Sequence, residues 1–241
     1  MGVAGVAAFV LRQVALQRSG HALIDMRIFR SRSFTLSLLV MLVLAMIGFG
    51  SLIVLPLILT SVLGLSTLAL GLFLVPGGAA ISIVSALGGR VYDRVGPRPL
   101  AIPGAVVWVT SLWFLSTVDQ DTAVGTALAA YLIMSASQAL MWAPMTTTAL
   151  AGLRADLYPH GTAAFTTIQQ LAGAAGGAVL ISAYTIGADA ADAGVLTLAQ
   201  AESAGQAAFL TAAVIGLGAV VGTLFVRRAP VPSAATAPAS T

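Results

Sequence analysis

The sequence predicts an all-α polytopic membrane protein, a bundle of six transmembrane helices. Apolar residues make up 59% of the 241 residues, only 8% are charged, and the mean hydropathy is +1.00. A soluble domain carries about a quarter charged residues, so this chain lacks the charges that would cover a water-facing surface. No charged residue or histidine occurs from Ser33 to Gly89. Because one bilayer crossing needs only about 20 apolar residues, that stretch must cross the membrane more than once.

Six apolar runs are long enough to cross a bilayer. Backbone amides in lipid must bond within their own segment, which favours helices, and the alternation of a barrel strand is not seen. The predicted spans are residues 34–60, 66–87, 100–118, 124–149, 162–187 and 206–226. Together they form one domain, a six-helix transmembrane bundle over residues 34–228.

The segments outside the bundle are shorter or more polar. Residues 1–11 form an apolar run about half a span long, which we interpret as a partial transmembrane helix whose beginning is missing. A signal peptide would carry its positive charge before the apolar part, not after it. Residues 12–33 form a cytoplasmic Arg-rich linker, and residues 229–241, rich in Pro, Ala, Ser and Thr, are expected to be a disordered cytoplasmic tail.

The arginines predict the orientation of the bundle. Every basic residue is arginine, and the arginines lie in the linker, the second-to-third loop, the fourth-to-fifth loop and the C-terminal end. Six alternating spans place these four regions on one side of the membrane, and the opposite loops carry only acidic charge. Positive loops stay in the cytoplasm, so both termini are predicted to be cytoplasmic. The same placement accounts for the pI near 10.0 without a nucleic-acid partner.

The sequence offers no recognisable catalytic or metal site. It has no cysteine, and its two histidines, His21 and His160, lie far apart in polar connections. A nucleotide-binding glycine loop, a helical His-Glu-x-x-His and a Gly-x-Ser-x-Gly elbow are not found. We therefore expect no catalytic residue, no metal, no cofactor and no enzymatic activity.

One local motif lies between the second and third spans. Gly89 is followed, after three residues, by Asp93 and Arg94, then by Gly96 and Arg98. This pattern resembles the cytoplasmic loop signature of the major facilitator superfamily. The glycines would let helix ends turn tightly, and the carboxylate can pair with an arginine or cap a helix N-terminus. The motif is then either a conformational latch between two bundles or a tight turn with a solvated Asp93.

The resemblance extends over nearly the whole chain. Residues 23–30, followed by Phe34, look like the phrase that precedes the last six helices of the fourteen-helix drug:proton antiporters. Residues 161–173 are similar to the penultimate helix of that family, although Gln169 replaces an arginine. The resemblance implies the C-terminal half of a major facilitator fold, built from three-plus-three inverted repeats, in the cell membrane of a bacterium. Pro56 in the first span matches Pro144 in the fourth, and Pro76 in the second matches the glycine-rich middle of the fifth. These positions agree with such a duplication and mark the three prolines as candidate helix breaks.

Polar residues at membrane depth are candidate substrate contacts, because burying them is costly unless they face protein or water. The resemblance implies that the first and fourth spans line the substrate cavity. The candidate lining residues are Ser51, Gln138, Trp142, Thr166, Gln169 and Gln170. Gln138 and Trp142 are four residues apart and so share a helical face. For a lone Ser or Thr, the alternative is a hydroxyl bonded back to its own helix.

The implied function is a part of a proton-coupled exporter of small amphipathic compounds, of the multidrug-resistance type. Its expected partners are the lipid bilayer, a small amphipathic substrate, and a missing N-terminal half or second bundle. No ionisable residue lies securely inside a predicted span, so we expect the chain to be inactive alone. Two alternatives stay open: half of a nutrient or metabolite transporter of the same superfamily, and a truncated membrane protein that transports nothing.

Overall fold

The computed structural model describes residues 26–96, 98–188 and 196–226, which form an all-helical bundle. Short 3-10 helices at Met26–Arg30 and Ala155–Leu157 precede the first and fifth long helices. The long helices are α1 (Arg32–Ser61), α2 (Thr67–Val95), α3 (Arg98–Leu115), α4 (Val124–Ala151), α5 (Tyr158–Gly187) and α6 (Leu198–Phe225). Each is long and apolar enough to cross a membrane. The predicted fold class is confirmed: the chain is a multi-pass membrane protein.

Several helices extend beyond the apolar runs, and polar caps fix the earlier starts of α1 and α6. The hydroxyl of Ser31 accepts a hydrogen bond from the Phe34 amide and starts α1. Thr197 and Gln200 form a capping box that starts α6 well before the predicted residue 206. Hydropathy alone missed these ends, since a cap consists of polar groups. The predicted partial helix at residues 1–11 and the tail at 229–241 lie outside the described residues.

Helices α1 and α4 form the centre of the bundle. Helix α1 packs against α4, α5 and α6, and α4 packs against α1, α2 and α3. In a duplication of three helices, α1, α2 and α3 correspond to α4, α5 and α6. The α1–α5 contact then corresponds to the α4–α2 contact, and the α1–α6 contact corresponds to the α4–α3 contact. The contacts therefore follow the two-fold pattern expected of three-plus-three repeats. One pair departs from it, because α5 and α6 pack closely whereas α2 and α3 barely touch.

Helix α2 is the least buried helix. In the most apolar 18-residue stretch of α2, only 11% is buried inside the chain, whereas at least 39% is buried in the corresponding stretch of each of the other five helices. Large apolar side chains such as Leu68, Leu72 and Val75 are 65% or more exposed. Most of α2 therefore faces either lipid or another protein.

The three candidate helix breaks do not end their helices. Helices α1, α2 and α4 continue as α-helix through Pro56, Pro76 and Pro144. An internal proline removes one backbone donor and bends the helix, so each proline leaves a local defect in a continuous helix.

Glycines set the closest helix crossing. A Cβ atom added at Gly176 of α5 would overlap the backbone of Met46 in α1, and one added at Gly50 would lie 2.8 Å from the Gly176 carbonyl oxygen. Small residues allow such close approach in membrane bundles. The α1–α5 interface thus depends on the absence of side chains at both positions.

Candidate functional site

The loop signature lies mainly on the last turns of α2 and not in a loop. Helix α2 continues to Val95 and ends at Gly96, whose φ of 83° favours glycine and whose amide donates to the Tyr92 carbonyl. A Cβ atom at Gly89 would meet open space, so this glycine is not needed for a contact within the chain. The Asp93 side chain lies outside the described residues, and its role as a latch stays a hypothesis.

Arg98, the last residue of the signature, joins α3 to the end of α6. Its Nε donates to the Val226 carbonyl at 2.8 Å, and its Nη2 donates to the Leu224 carbonyl at 2.9 Å. These carbonyls belong to the C-terminal end of α6, where the helix lacks internal donors and a positive charge is favourable. Arg98 therefore acts as a C-terminal cap supplied by another helix.

Replacing Arg98 with alanine should lower the free energy of unfolding by about 1–2 kcal/mol, because two charge-assisted hydrogen bonds at a partly exposed helix end are lost. Lysine should restore only part of this, since it lacks the forked geometry of arginine. Thermal unfolding in detergent measures the effect. Arg90→Ala, an exposed arginine on α2, is the control, and equal destabilisation by both variants would contradict the capping role.

A cavity of about 210 Å³ lies between α1, α2 and α4. Its walls are apolar and aromatic with a few hydroxyl and amide groups, and none of its lining side chains is charged. The lining residues are Gly48, Phe49, Ser51, Leu52, Leu55, Pro56, Leu74, Ile81, Tyr131, Met134, Ser135, Gln138 and Trp142. A ligand pocket commonly measures roughly 300–1,000 Å³, so this open cavity has the dimensions of a partial site.

One face of α4 supplies the polar and aromatic part of the cavity. Tyr131, Ser135, Gln138 and Trp142 follow one another at intervals of four, three and four residues, which places them on a single helical face. From this face, only Gln138 and Trp142 were among the residues predicted to line the substrate cavity. The same spacing, continued one turn at a time toward the start of α4, could have identified Ser135 and Tyr131.

Gln138 connects α4 to α1 at the centre of the bundle. Its Nε2 donates to the Leu44 carbonyl at 3.3 Å. The amide occupies the space beside Gly48, where a Cβ atom would overlap it. A side-chain amide in the wall of the cavity is thereby held against α1.

Tyr131 lines the cavity on the same face of α4, nearer the start of that helix. Its ring stacks on Phe73 with the ring centroids 5.6 Å apart, and it lies over Gly77, where a Cβ atom would overlap the ring. Glycine in α2 thus makes room for an aromatic side chain from α4.

The candidate residues of α5 lie away from this cavity. Thr166 and Gln170 are exposed and Gln169 is half-buried, and none of the three lines it. The Thr166 hydroxyl donates to the Thr162 carbonyl of its own helix at 3.0 Å. The structure therefore brings together Ser51, Gln138 and Trp142 but not the α5 group.

Comparison with known proteins identifies related sequences. A sequence profile of the Major Facilitator Superfamily matches residues 2–177. The chain is 35% identical to the lincomycin resistance protein LmrB of Listeria monocytogenes over 77% of this chain and 39% of that protein. It is 31% identical to LmrB of Bacillus subtilis over 96% of this chain and 49% of that protein.

A third relative is the multidrug resistance protein B homolog of Mycobacterium tuberculosis. It is 28% identical over 74% of this chain and 33% of its own length. The chain thus spans half the length, or less, of the curated relatives it matches.

Proposed function

Because the chain belongs to the major facilitator superfamily, a family of membrane transporters, we propose that it is the C-terminal half of a proton-coupled exporter of small amphipathic compounds. The cavity between α1, α2 and α4 forms one wall of the substrate path. The observation that carries this proposal is the cavity itself, an uncharged, aromatic-lined space on the two central helices. Relatives named for lincomycin and multidrug resistance support export as the direction of transport.

The expected partner is a second helical bundle that packs on α2 and α5. Most of the α2 surface is uncovered, and a Cβ atom added at Gly71 or Gly78 would meet open space. The exposed side of α5 carries Thr166, Thr167 and Gln170. Hydroxyl and amide groups match a protein surface or water better than lipid tails, so these two faces are suited to a neighbouring bundle.

We further propose that the end of the bundle containing Arg98 and Arg154 faces the cytoplasm, as the positive charges favour. A cysteine introduced at position 121 by Asp121→Cys should react with an impermeant maleimide added outside intact cells, and Arg94→Cys should not. Both positions are exposed, and the chain has no cysteine of its own, so each label reports one site. Labelling of the position-94 variant would reverse the assigned orientation.

The role of the cavity is tested by protection of a cysteine placed in it. Ser135→Cys changes one lining side chain with little change in volume, and Ser203→Cys, exposed on α6, is the control. In membranes containing the chain, 2-naphthylmethanol or chloramphenicol, both uncharged amphipathic compounds, should slow modification of the position-135 cysteine by a methanethiosulfonate reagent. Neither compound should affect the control. If both compounds leave the two rates unchanged, the cavity is not a binding site for such compounds.

A further inference from the structure

The cavity contains a buried hydroxyl that the bundle leaves without a partner. Ser51 is 2% exposed and lines the cavity, and its Oγ forms no hydrogen bond among the described residues. Several other hydroxyls of the same helices bond to their own backbone: Thr60 donates to the Pro56 carbonyl at 2.9 Å, and Ser137 donates to the Ile133 carbonyl at 2.6 Å. The buried hydroxyl of Ser37 in α1 also has no partner among the described residues, but it does not line the cavity. A buried hydroxyl without a partner is unfavourable. Ser51 therefore lacks the hydrogen bond to a backbone carbonyl of its own helix that a serine in a membrane helix ordinarily forms.

Ser51 lies on the face of α1 that Gln138 contacts. Leu44, Gly48 and Ser51 are spaced by four and three residues, so they lie on one face of α1. Gln138 contacts this face at Leu44 and Gly48, and Ser51 lies about one helical turn, roughly 5 Å, farther along it. The Leu44 bond engages one N–H of an amide that also has a second N–H and a carbonyl oxygen. A hydroxyl and an oriented amide thus lie one turn apart along an otherwise apolar cavity.

The remaining cavity wall determines which ligand suits this pair. Phe49, Tyr131 and Trp142 supply aromatic surface, and no charged side chain lines the cavity. A charged group would find no counter-charge on this wall, which is costly in a low-dielectric site. An uncharged molecule with a hydroxyl or amide group can bond to the polar pair while its apolar part packs on the rings.

We propose that Ser51 is a specificity-determining residue that, together with Gln138, binds the hydroxyl or amide group of uncharged amphipathic solutes. This inference rests on the proposed role of the cavity as part of a substrate path. Buried hydroxyls discriminate strongly between ligands that can and cannot form the bond, because an unmatched ligand leaves the hydroxyl unpaired.

The test uses the full chain in lipid nanodiscs and two probes that differ by one hydroxyl, 2-naphthylmethanol and 2-methylnaphthalene. Equilibrium dialysis measures each bound probe after subtraction of empty nanodiscs. Ser51→Ala should weaken binding of the alcohol about threefold to tenfold and leave binding of the hydrocarbon unchanged. Ser203→Ala is the matched control, because the Ser203 hydroxyl bonds to the Ala199 carbonyl of its own helix at 2.8 Å, away from the cavity.

The outcomes separate this inference from the function it rests on. If Ser51→Ala weakens both probes equally, or weakens neither, the hydrogen-bonding role of Ser51 is overturned and the cavity proposal stands. If the unmodified chain binds neither probe above empty nanodiscs, both proposals are overturned. Should Ser51→Ala fail to fold, Ser51→Cys keeps the volume while replacing the hydroxyl with a weak donor, and the same selective loss of alcohol binding is expected.

Discussion

Replacing Gly176 with alanine should lower the free energy of unfolding by about 3 kcal/mol, the upper part of the range for overpacked cores. The added methyl group would overlap the backbone of Met46, and backbone in the middle of a helix cannot move aside as a flexible side chain can. The α1–α5 contact is the most extensive in the bundle, so its separation would also disturb the central helix. Loss of helical signal during titration with sodium dodecyl sulfate measures the change.

Gly218→Ala is the matched control for this prediction. Gly218 lies inside α6, and a Cβ atom added there would meet nothing. Alanine also has a higher helix propensity than glycine by about 1 kcal/mol, so this variant should be neutral or slightly more stable. Equal destabilisation by the two substitutions would show that helix propensity, and not the α1–α5 crossing, determines the result.

The fold could be predicted because its main determinants are local and additive. Apolar length and the requirement for internal backbone bonding specify six membrane helices, and the arginines divide the connections into two groups. The exact helix ends could not be derived in this way. Ser31 and Thr197 start helices through side-chain hydrogen bonds, and Gly96 ends one with a positive φ. Hydropathy detects none of these features.

For a related reason, spacing in the sequence identified only some of the residues that line the cavity between α1, α2 and α4. Spacing identified Gln138 and Trp142 as one face of α4, and the structure places both in the cavity with Ser51. Spacing along one helix does not show which neighbour that face meets. The α5 residues Gln169 and Gln170 were therefore predicted to line the substrate cavity together with these residues, and they do not line the cavity between α1, α2 and α4. Their contact with a substrate stays a prediction.

The role of Arg98 was missed because its partners are backbone carbonyls far away in sequence. Leu224 and Val226 carry no polar side chain, so nothing in their residue types indicates a bond to an arginine. The helix dipole gave the only available signal, a positive charge required near the end of α6. The dipole favours a positive charge at that end, but it does not indicate which arginine of the chain provides the charge.

This chain alone should not carry out proton-driven export. Alternating access requires a second bundle against which the first can rock, and the chain has one bundle with the large uncovered faces of α2 and α5. Proton coupling requires a group that binds protons with different affinity in the two facing states. The carboxylates with described side chains are Asp119, Asp121, Asp156 and Glu202, which lie in connections or near the start of α6. A second copy of this chain would supply another bundle, but its described carboxylates would again lie in connections or near the start of α6.

The most direct test of this prediction is a measurement of gradient-driven uptake by the purified chain reconstituted into lipid vesicles. A pH gradient is imposed, and accumulation of radiolabelled lincomycin is followed with and without an uncoupler, beside empty vesicles and vesicles containing the complete lincomycin resistance protein LmrB from Bacillus subtilis. We predict accumulation that the uncoupler abolishes in the LmrB vesicles, and the same signal from this chain as from empty vesicles. Uncoupler-sensitive accumulation by this chain alone would contradict the proposal that it is one half of a transporter.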